Sequence, residues 1–581
     1  MTDDAVDGTA VNRPATALDA LAEEYHNAQC DLDPISADFA GLPGYSARLT
    51  DYSPAGHAAR AALARTVLAR AAGLRPADDV DAVTLVSLRE RLGHDLDIHD
   101  AGLDVMSLNN IQCPVQMVRE AFDINATDTV EDWEAIAARL HAVRPAITGY
   151  TEGLRVGIAR RWSPPRRQVT AATDEARAFA APDGFFLALA EGAKPASGAL
   201  PDRLVARLRA GARAAASAYE DLADRLTTMV LPVSRDDDAV GPAVYALAAQ
   251  EFLGARVDLH DAYAWALDEL AAIEDRMGQV ATVLAPTATG SAPERIAAAV
   301  EVLDADPRRR ITGKEEFRTW MQALSDKAVE DLAGTHFDIP GPLRQLRCRI
   351  APSSSGAIYY TAPSEDFTRP GQMWWSVPKE TTSFTTWRET STVYHEGVPG
   401  HHLQLGQASY LSGSLNRWRR KGLWVSGHGE GWALYAERLM EELGYLEDPG
   451  DLLGMLDSHA LRACRVVIDI GVHLRLAAPP EVGGGTWDAA KAWAFLSAHT
   501  RMPEPTRRFE LDRYLGWPGQ AISYKIGERV WLGIRAAVAH REGPAFDLKT
   551  FHRKALALGS VGLDVLAGAL VPERSAKAPP A

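Results

Sequence analysis

The sequence predicts a mainly α-helical protein with one small antiparallel sheet directly before a histidine-rich motif. Most of the 581 residues fall in long segments whose apolar residues recur every three or four positions, as in an amphipathic helix. Three short segments differ, because they are rich in β-branched and aromatic residues and are bounded by Pro, Ser and Gly. We predict extended strands over residues 348–350, 356–361 and 373–377.

The predicted helices follow the apolar spacing, and several begin at capping residues. Thr129, followed by acids, predicts one helix start, and Ser291 with Glu294 predicts a capping box at another. Residues 160–167 are expected to form a solvated connection, because arginines flank two prolines there. In chain order, the predicted helices cover residues 16–30, 58–73, 83–92, 111–122, 129–143, 200–230, 239–252, 259–284, 381–394, 451–473, 487–499, 518–540 and 547–570.

Changes in sequence character divide the chain into four parts. Residues 1–15 are predicted to be disordered, and residues 16–344 to form a helical N-terminal lobe. Residues 345–572 hold the predicted sheet and the histidine motif, so we expect the chemistry there. Residues 573–581 are a low-complexity tail that we expect to be frayed.

Charge and cysteine usage limit the classes of function. The chain has 61 basic and 77 acidic residues, and this net charge of −16 argues against nucleic-acid binding, which depends on phosphate attraction. Its four cysteines are far apart, as expected for free thiols in a reducing compartment. An acidic N-terminus and the lack of a long apolar run predict a cytoplasmic protein that does not associate with membranes.

The histidine motif combines metal ligands with an adjacent acid. Four of the 16 histidines lie between residues 395 and 428. The helical zinc motif H-E-x-x-H places two histidines four positions apart, but here His395 is followed by His401, six positions later. On an unbroken helix these two side chains would diverge. Because two glycines and Pro399 lie between them, we expect a bulge of one or two residues to bring them together.

A two-histidine, one-glutamate metal site follows from this arrangement. We predict that His395, His401 and Glu430 bind the metal and leave a fourth position for water. Glu396 would act as general base and acid on that metal-bound water. His402 is the alternative to His401 as ligand, and otherwise orients a ligand or contacts substrate.

The neighbouring polar residues leave further alternatives open. Glu437 would be an outer-shell acid or a partner in an ion pair. His428 would face the substrate or cap the following helix. A structural metal site is the alternative to a catalytic one, although structural zinc usually uses cysteine and has protein ligands at all four positions.

Three motifs together resemble the bacterial domain-of-unknown-function family DUF885. They are HEGVPGHHLQ at residues 395–404, EGWALYAE at 430–437 and PGQAISYKIG at 518–527. That family is similar to the gluzincin zinc metallopeptidases, the helical class of angiotensin-converting enzyme, thimet oligopeptidase and carboxypeptidase Taq. The resemblance implies a two-lobed helical shell around a deep channel with zinc on its floor.

The resemblance also implies roles for residues outside the histidine motif. Tyr524 would stabilise the oxyanion of the tetrahedral intermediate. Residues 356–361 would form an edge strand to which a peptide substrate adds. Lys525, with Arg507 or Arg508, would bind the C-terminal carboxylate of a substrate.

These observations favour a zinc-dependent hydrolase that cleaves short peptides or a peptide-like amide. Two histidines and a carboxylate also form the ligand set of non-haem Fe(II) enzymes, so an iron enzyme acting on a small amino-acid-like substrate is the first alternative. A non-catalytic metal-binding scaffold is the second. The sequence leaves the substrate and the oligomeric state open.

Overall fold

A computed structural model describes residues 13–351, 358–378 and 380–571. It confirms a mainly helical protein, with 68% helix and 5% strand. In the first part of the described chain the helices are α1 (Ala17–Leu32), α2 (Pro34–Phe39), α3 (Pro54–Ala72), α4 (Asp79–Asp100), α5 (Pro114–Glu120), α6 (Val130–Ala159), α7 (Arg166–Ala180), α8 (Phe185–Glu191), α9 (Asp202–Arg225), α10 (Pro242–Leu253), α11 (Leu259–Leu284), α12 (Ala292–Ala305) and α13 (Lys314–Leu332).

The second part of the chain contains the strands and the helices that form the site. The strands are β1 (Arg310–Thr312), β2 (Leu346–Ile350), β3 (Tyr359–Thr361), β4 (Gly371–Trp375) and β5 (Ser383–Thr385). The helices are α14 (Thr386–Glu396), α15 (His401–Tyr410), α16 (Ser426–Glu442), α17 (Pro449–His473), α18 (Ala489–His499), α19 (Glu504–Gly516), α20 (Ser523–Glu542), α21 (Leu548–Leu556) and α22 (Leu563–Leu570).

The helix starts agree with the capping residues in the sequence. Thr129 caps α6 in a capping box with Asp132, and Ser291 caps α12 in the predicted box with Glu294. Helix α6 extends well beyond its predicted end at residue 143, because Pro145 lies inside it without ending it. Helices α2, α7, α8, α13 and α19 were not predicted. The expected connection at residues 160–167 is shorter than proposed, since α7 begins at Arg166.

The small sheet is mixed rather than antiparallel. Its strand order is β2-β4-β3, with β3 antiparallel and β2 parallel to β4. Strands β3 and β4 are joined directly by residues 362–370 and therefore run in opposite directions, whereas β2 pairs with the other edge of β4. A separate antiparallel ribbon joins β1 to β5, so the first residues of the predicted helix 381–394 are extended.

Two large apolar cores hold the helices together. One is formed mainly by α6, α7 and α9, within residues 35–230. The other extends from Leu18 to Leu570 and includes residues on both sides of the proposed division at residue 344. That division stays a prediction. Among the described residues, no helix is both long enough and apolar enough to span a bilayer.

Helices α16 and α20 cross at very short range. A Cβ on Gly431 would lie 2.5 Å from the backbone of Gly527, and a Cβ on Gly527 would collide with the Gly427 carbonyl. The glycines therefore allow a backbone approach that any side chain would prevent. This crossing fixes α16, which carries two acids of the histidine site, against the rest of the core.

Candidate functional site

A break between α14 and α15 brings the two motif histidines together. We predicted a bulge within one continuous helix. This prediction is wrong, because residues 397–400 separate two helices. A Cβ on Gly400 would collide with the His395 carbonyl, so the tight reversal requires glycine there. The Val398–Pro399 peptide bond is cis. Trp432 of α16 donates from Nε1 to the Pro399 carbonyl at 2.8 Å and holds the break in place.

His395, His401 and Glu430 converge on one point. The Nε2 atoms of His395 and His401 lie 3.3 Å and 3.5 Å from the same Glu430 oxygen, Oε2. That oxygen is buried and accepts no aligned hydrogen bond among the described residues. Ligand atoms about 2.0–2.1 Å from a tetrahedral zinc ion lie about 3.3–3.4 Å apart. The spacing therefore fits the ligand shell of a single small cation.

Glu396 lies beside this cluster, and one of its carboxylate oxygens has no hydrogen-bond partner among the described residues. Ligand atoms of His395, Glu396 and His401 all lie within 4.8 Å of one another. The Glu396 side chain is buried, and its Oε2 has no hydrogen-bond partner in the described chain. Burial raises the pKa of Glu396 against the opposing effect of the two imidazoles. These are the properties of a group able to exchange a proton.

Glu437 orients His395 from behind. Its Oε1 lies 2.8 Å from His395 Nδ1, and both side chains are buried. With a cation in the cluster, His395 would keep its proton on Nδ1, donated to this carboxylate, and would offer the Nε2 lone pair to the cation. Glu437 is therefore an outer-shell acid, the first of the two alternatives that the sequence left open.

Lys525 lies further behind the ligands, in a buried ionic network. Glu437 Oε2 is 3.7 Å from His459 Nε2, and Lys525 Nζ is 3.1 Å from His459 Nδ1. Lys525 also pairs with Glu528 at 2.6 Å and with Glu269 at 2.9 Å. Its side chain is fully buried, so these acids neutralise it. This position corrects the expectation that Lys525 meets a substrate carboxylate.

His402 points away from the cluster. Its Nε2 lies 2.8 Å from the Leu343 carbonyl, and its Nδ1 lies 2.9 Å from the Tyr360 hydroxyl on β3. Burial lowers the pKa of His402 to about 4, so the neutral ring donates to the carbonyl and accepts from the phenol. Both nitrogens are occupied. His401, and not His402, is therefore the histidine that joins His395.

His428 is a packing residue. It is buried against Trp531, with ring centroids 5.2 Å apart, and its Nδ1 lies 3.1 Å from the Val561 carbonyl. Burial lowers the pKa of His428 to about 4, so the ring is neutral. The structure therefore gives it neither of the two expected roles, which were substrate contact and helix capping.

Tyr524 lies between two arginines of α17. The guanidinium carbons of Arg465 and Arg462 are 4.8 Å and 6.0 Å from its ring centroid. Arg462 also acts electrostatically on Glu396, which places this group of residues close to the histidine cluster. Arg507 and Arg508 lie elsewhere, stacked on Trp493 at 5.3 Å and 4.6 Å.

Sequence reasoning missed several residues around the cluster. Trp424 is 47% exposed, its ring lies 6.1 Å from that of His401, and Gly429 leaves room for it. His459, Arg462 and Arg465 recur every three positions along the otherwise apolar α17. This run of polar residues at helical spacing is the signal that would have identified them.

The acids and imidazoles give the cluster the charge pattern of a cation site. Burial lowers the pKa of His395, but Glu430 and Glu437 outweigh it and raise the pKa to about 10. Burial by itself would raise the pKa values of both glutamates. The contacts with the histidines have the larger effect, so both pKa values lie well below the usual range. Two ionised carboxylates thus attract positive charge to one point.

These features define a helical protein with a buried two-histidine, two-glutamate site, and comparisons place it in a family. Residues 34–570 match DUF885, described as bacterial protein of unknown function, and the chain belongs to that family. No curated protein matches it.

Two solved structures share the fold. A candidate lipoprotein from Colwellia psychrerythraea is 23% identical, with a TM-score of 0.81 over 95% of this chain and 98% of that one. A candidate lipoprotein of unknown function from Shewanella oneidensis is 16% identical, with a TM-score of 0.73 over 95% of this chain and 99% of that one.

Proposed function

We propose that the protein is a zinc-dependent hydrolase that cleaves short peptides or a peptide-like amide bond. The convergence of His395 Nε2 and His401 Nε2 on one Glu430 oxygen carries this proposal. Two neutral imidazoles and one carboxylate are the ligand set of hydrolytic zinc sites, which keep a further position open. Glu396, with a free buried oxygen beside the ligands, favours hydrolysis over a purely structural site.

The residues present fit a zinc ion. Each of the two Nε2 atoms lies at tetrahedral spacing from the Glu430 oxygen, and Glu437 fixes the orientation of one imidazole. A bound zinc ion would polarise the substrate carbonyl and make water more acidic. His395, His401 and Glu430 would hold it.

Glu396 performs the proton transfers of the proposed reaction. Its carboxylate accepts a proton from the attacking water, whose oxygen bonds to the carbonyl carbon. The same proton then passes to the amide nitrogen as the C–N bond breaks, which yields a carboxylic acid and an amine. Because burial raises the pKa of Glu396, its carboxylate binds this proton more readily than an exposed one does.

Tyr524 and strand β3 complete the proposed site. Arg462 lies over the Tyr524 ring and also acts electrostatically on Glu396. The Tyr524 phenol would therefore lie near Glu396 and donate a hydrogen bond to the oxyanion. In the described part of the chain, strand β3 pairs with β4 on one side and with no strand on the other, so an extended peptide would add there. The part of the predicted strand at 356–357 lies outside the described residues.

The Glu396→Gln variant tests the proposal. Glutamine has the size of glutamate but cannot accept the proton, so we expect the purified variant to bind zinc as the wild type does and to lose peptide hydrolysis by at least about a thousandfold. The measurements are zinc content by mass spectrometry and cleavage of a mixed peptide library. Wild-type turnover by the variant would overturn the proposed role of Glu396.

We also propose that the protein is related to the gluzincins and that its fold forms a two-lobed shell around a deep channel. The cytoplasmic location stays a prediction. The two solved structures above are described as candidate lipoproteins, and this description concerns those two proteins alone.

A further inference from the structure

The surroundings of Tyr524 carry an excess of positive charge that the proposed reaction does not use. Three arginines lie there, namely Arg462, Arg465 and Arg513. In the described part of the chain, one carboxylate, Glu510, pairs with two of them, at 2.8 Å from Arg465 and 3.1 Å from Arg513. Buried charges are normally matched, so this imbalance calls for an anion.

Two other acids near the cluster leave the imbalance in place. Asp469 acts electrostatically on Arg513, but among the described residues it forms no ion pair with the three arginines and instead accepts from the Gly519 N–H at 3.0 Å. No ion pair among the described residues joins Glu396 to these arginines, and its Oε2 has no hydrogen-bond partner there. The positive charge of the arginines therefore remains available to a ligand.

Of these three arginines, Arg462 is the one that forms no ion pair in the described part of the chain. Its Nη1 donates to the Ser458 carbonyl at 3.1 Å and to the Ser458 hydroxyl. Its Nε is buried without an acceptor, and none of the ion pairs among the described residues includes it. Arg462 is half-buried, whereas Arg465 and Arg513 are buried and paired. A guanidinium in this state suits bidentate binding of a carboxylate.

We propose that Arg462, supported by Arg465, binds the C-terminal carboxylate of the substrate. This proposal rests on the proposed function. Arg462 lies about one helical turn from His459, which is 3.7 Å from Glu437 behind His395, so the carboxylate that it binds belongs to a residue close to the bond that is cleaved. The protein is therefore an exopeptidase that releases one or two residues from the C-terminus of a short peptide.

The test compares a peptide acid with its amide. The probe is dansyl-Gly-Phe-Ala, as the free acid and as the C-terminal amide, titrated into zinc-loaded Glu396→Gln protein and followed by fluorescence anisotropy. We expect the acid to bind at least about tenfold more tightly than the amide, because a charge-assisted bidentate contact distinguishes them. In protein that carries both Glu396→Gln and Arg462→Gln, the acid should bind less than about twofold more tightly than the amide.

Two further variants control for structural effects. Arg462→Lys keeps the charge and loses the bidentate geometry, so it should retain part of the preference. Arg508→Gln removes an arginine that stacks on Trp493 outside the cluster, so the preference should stay unchanged. Equal binding of acid and amide, absence of binding by both, or a preference that survives Arg462→Gln would each overturn the proposal.

Hydrolysis of the same two peptides by the wild-type chain separates the two proposals. Equal cleavage of acid and amide that is lost with Glu396→Gln would overturn the carboxylate site and leave the hydrolase standing. Preferential binding of the acid without any cleavage would support the carboxylate site and count against the hydrolase.

Discussion

At the scale of single residues, the site depends on how each imidazole is oriented. His395 and His402 are seven positions apart and both buried, yet they have opposite roles, because their second nitrogens meet different partners. A carboxylate behind His395 leaves Nε2 facing the cluster, while a carbonyl and a phenol occupy both nitrogens of His402. The sequence identified the candidate ligands, but it could not choose between His401 and His402. Which of these two side chains faces the cluster depends on where the chain turns.

Glu437→Gln tests this orientation directly. The amide is uncharged and stabilises the Nδ1 proton of His395 less well, so we expect zinc affinity to fall about 10–100-fold. The measurement is zinc release to a chelator of known affinity. Glu442→Gln is the matched control, since Glu442 lies on the same helix and pairs with Arg535 at 2.8 Å at the surface. Unchanged affinity in Glu437→Gln would show that the carboxylate does not support the ligand.

At the scale of elements, the sequence predicted apolar helices better than polar ones. The bounds of α11 agree with the prediction at both ends, because its apolar spacing is regular. Helix α7 was missed because small and polar residues, including Ala172, Thr173 and Ala176, form its buried face and give no apolar pattern. Strand direction in the small sheet was wrong because alternation along a strand indicates its faces and not its partner's direction.

The pairing of α17 with α19 through Glu510 gives a pH-dependent contribution to stability. Burial would raise the pKa of Glu510, but Arg465 and Arg513 outweigh it and lower the pKa to about 2, below the value of about 4.3 in an unfolded chain. Its stabilising effect is therefore complete above about pH 5 and is lost as the pH falls towards 2.

Glu510→Gln should accordingly destabilise the protein in a pH-dependent way. At pH 7 we expect a loss of about 3–5 kcal/mol, because two buried arginines lose their carboxylate. The loss should shrink as the pH falls below 5, because the glutamate of the unfolded wild-type chain then becomes protonated and the ion pair stabilises the folded state less. Urea unfolding midpoints at pH 7 and pH 3.5 measure this. Glu504→Gln, which alters an exposed pair with Arg508, should change little, and a pH-independent loss in Glu510→Gln would contradict the assignment.

At the scale of the whole molecule, the site is assembled from segments far apart in sequence. The ligands come from α14, α15 and α16, and α17 and α20 supply the charges around them. The local motif was sufficient to predict that His395, Glu396, His401 and Glu430 lie together, since these residues fall between 395 and 430; their roles as ligands and general base stay predictions. The spacing of His459 and Arg462 marks one polar face of α17, but their proximity to the motif could not be predicted, because it depends on how the helices pack.

Metal content of the wild type and two single variants tests the proposed centre most directly. The wild type, His401→Ala and His402→Ala are purified in parallel with zinc supplied, and metals are quantified by mass spectrometry. We expect about one zinc ion per wild-type chain, its loss in His401→Ala and its retention in His402→Ala. Zinc retained in His401→Ala, iron in place of zinc, or no metal in any sample would contradict the proposed zinc site.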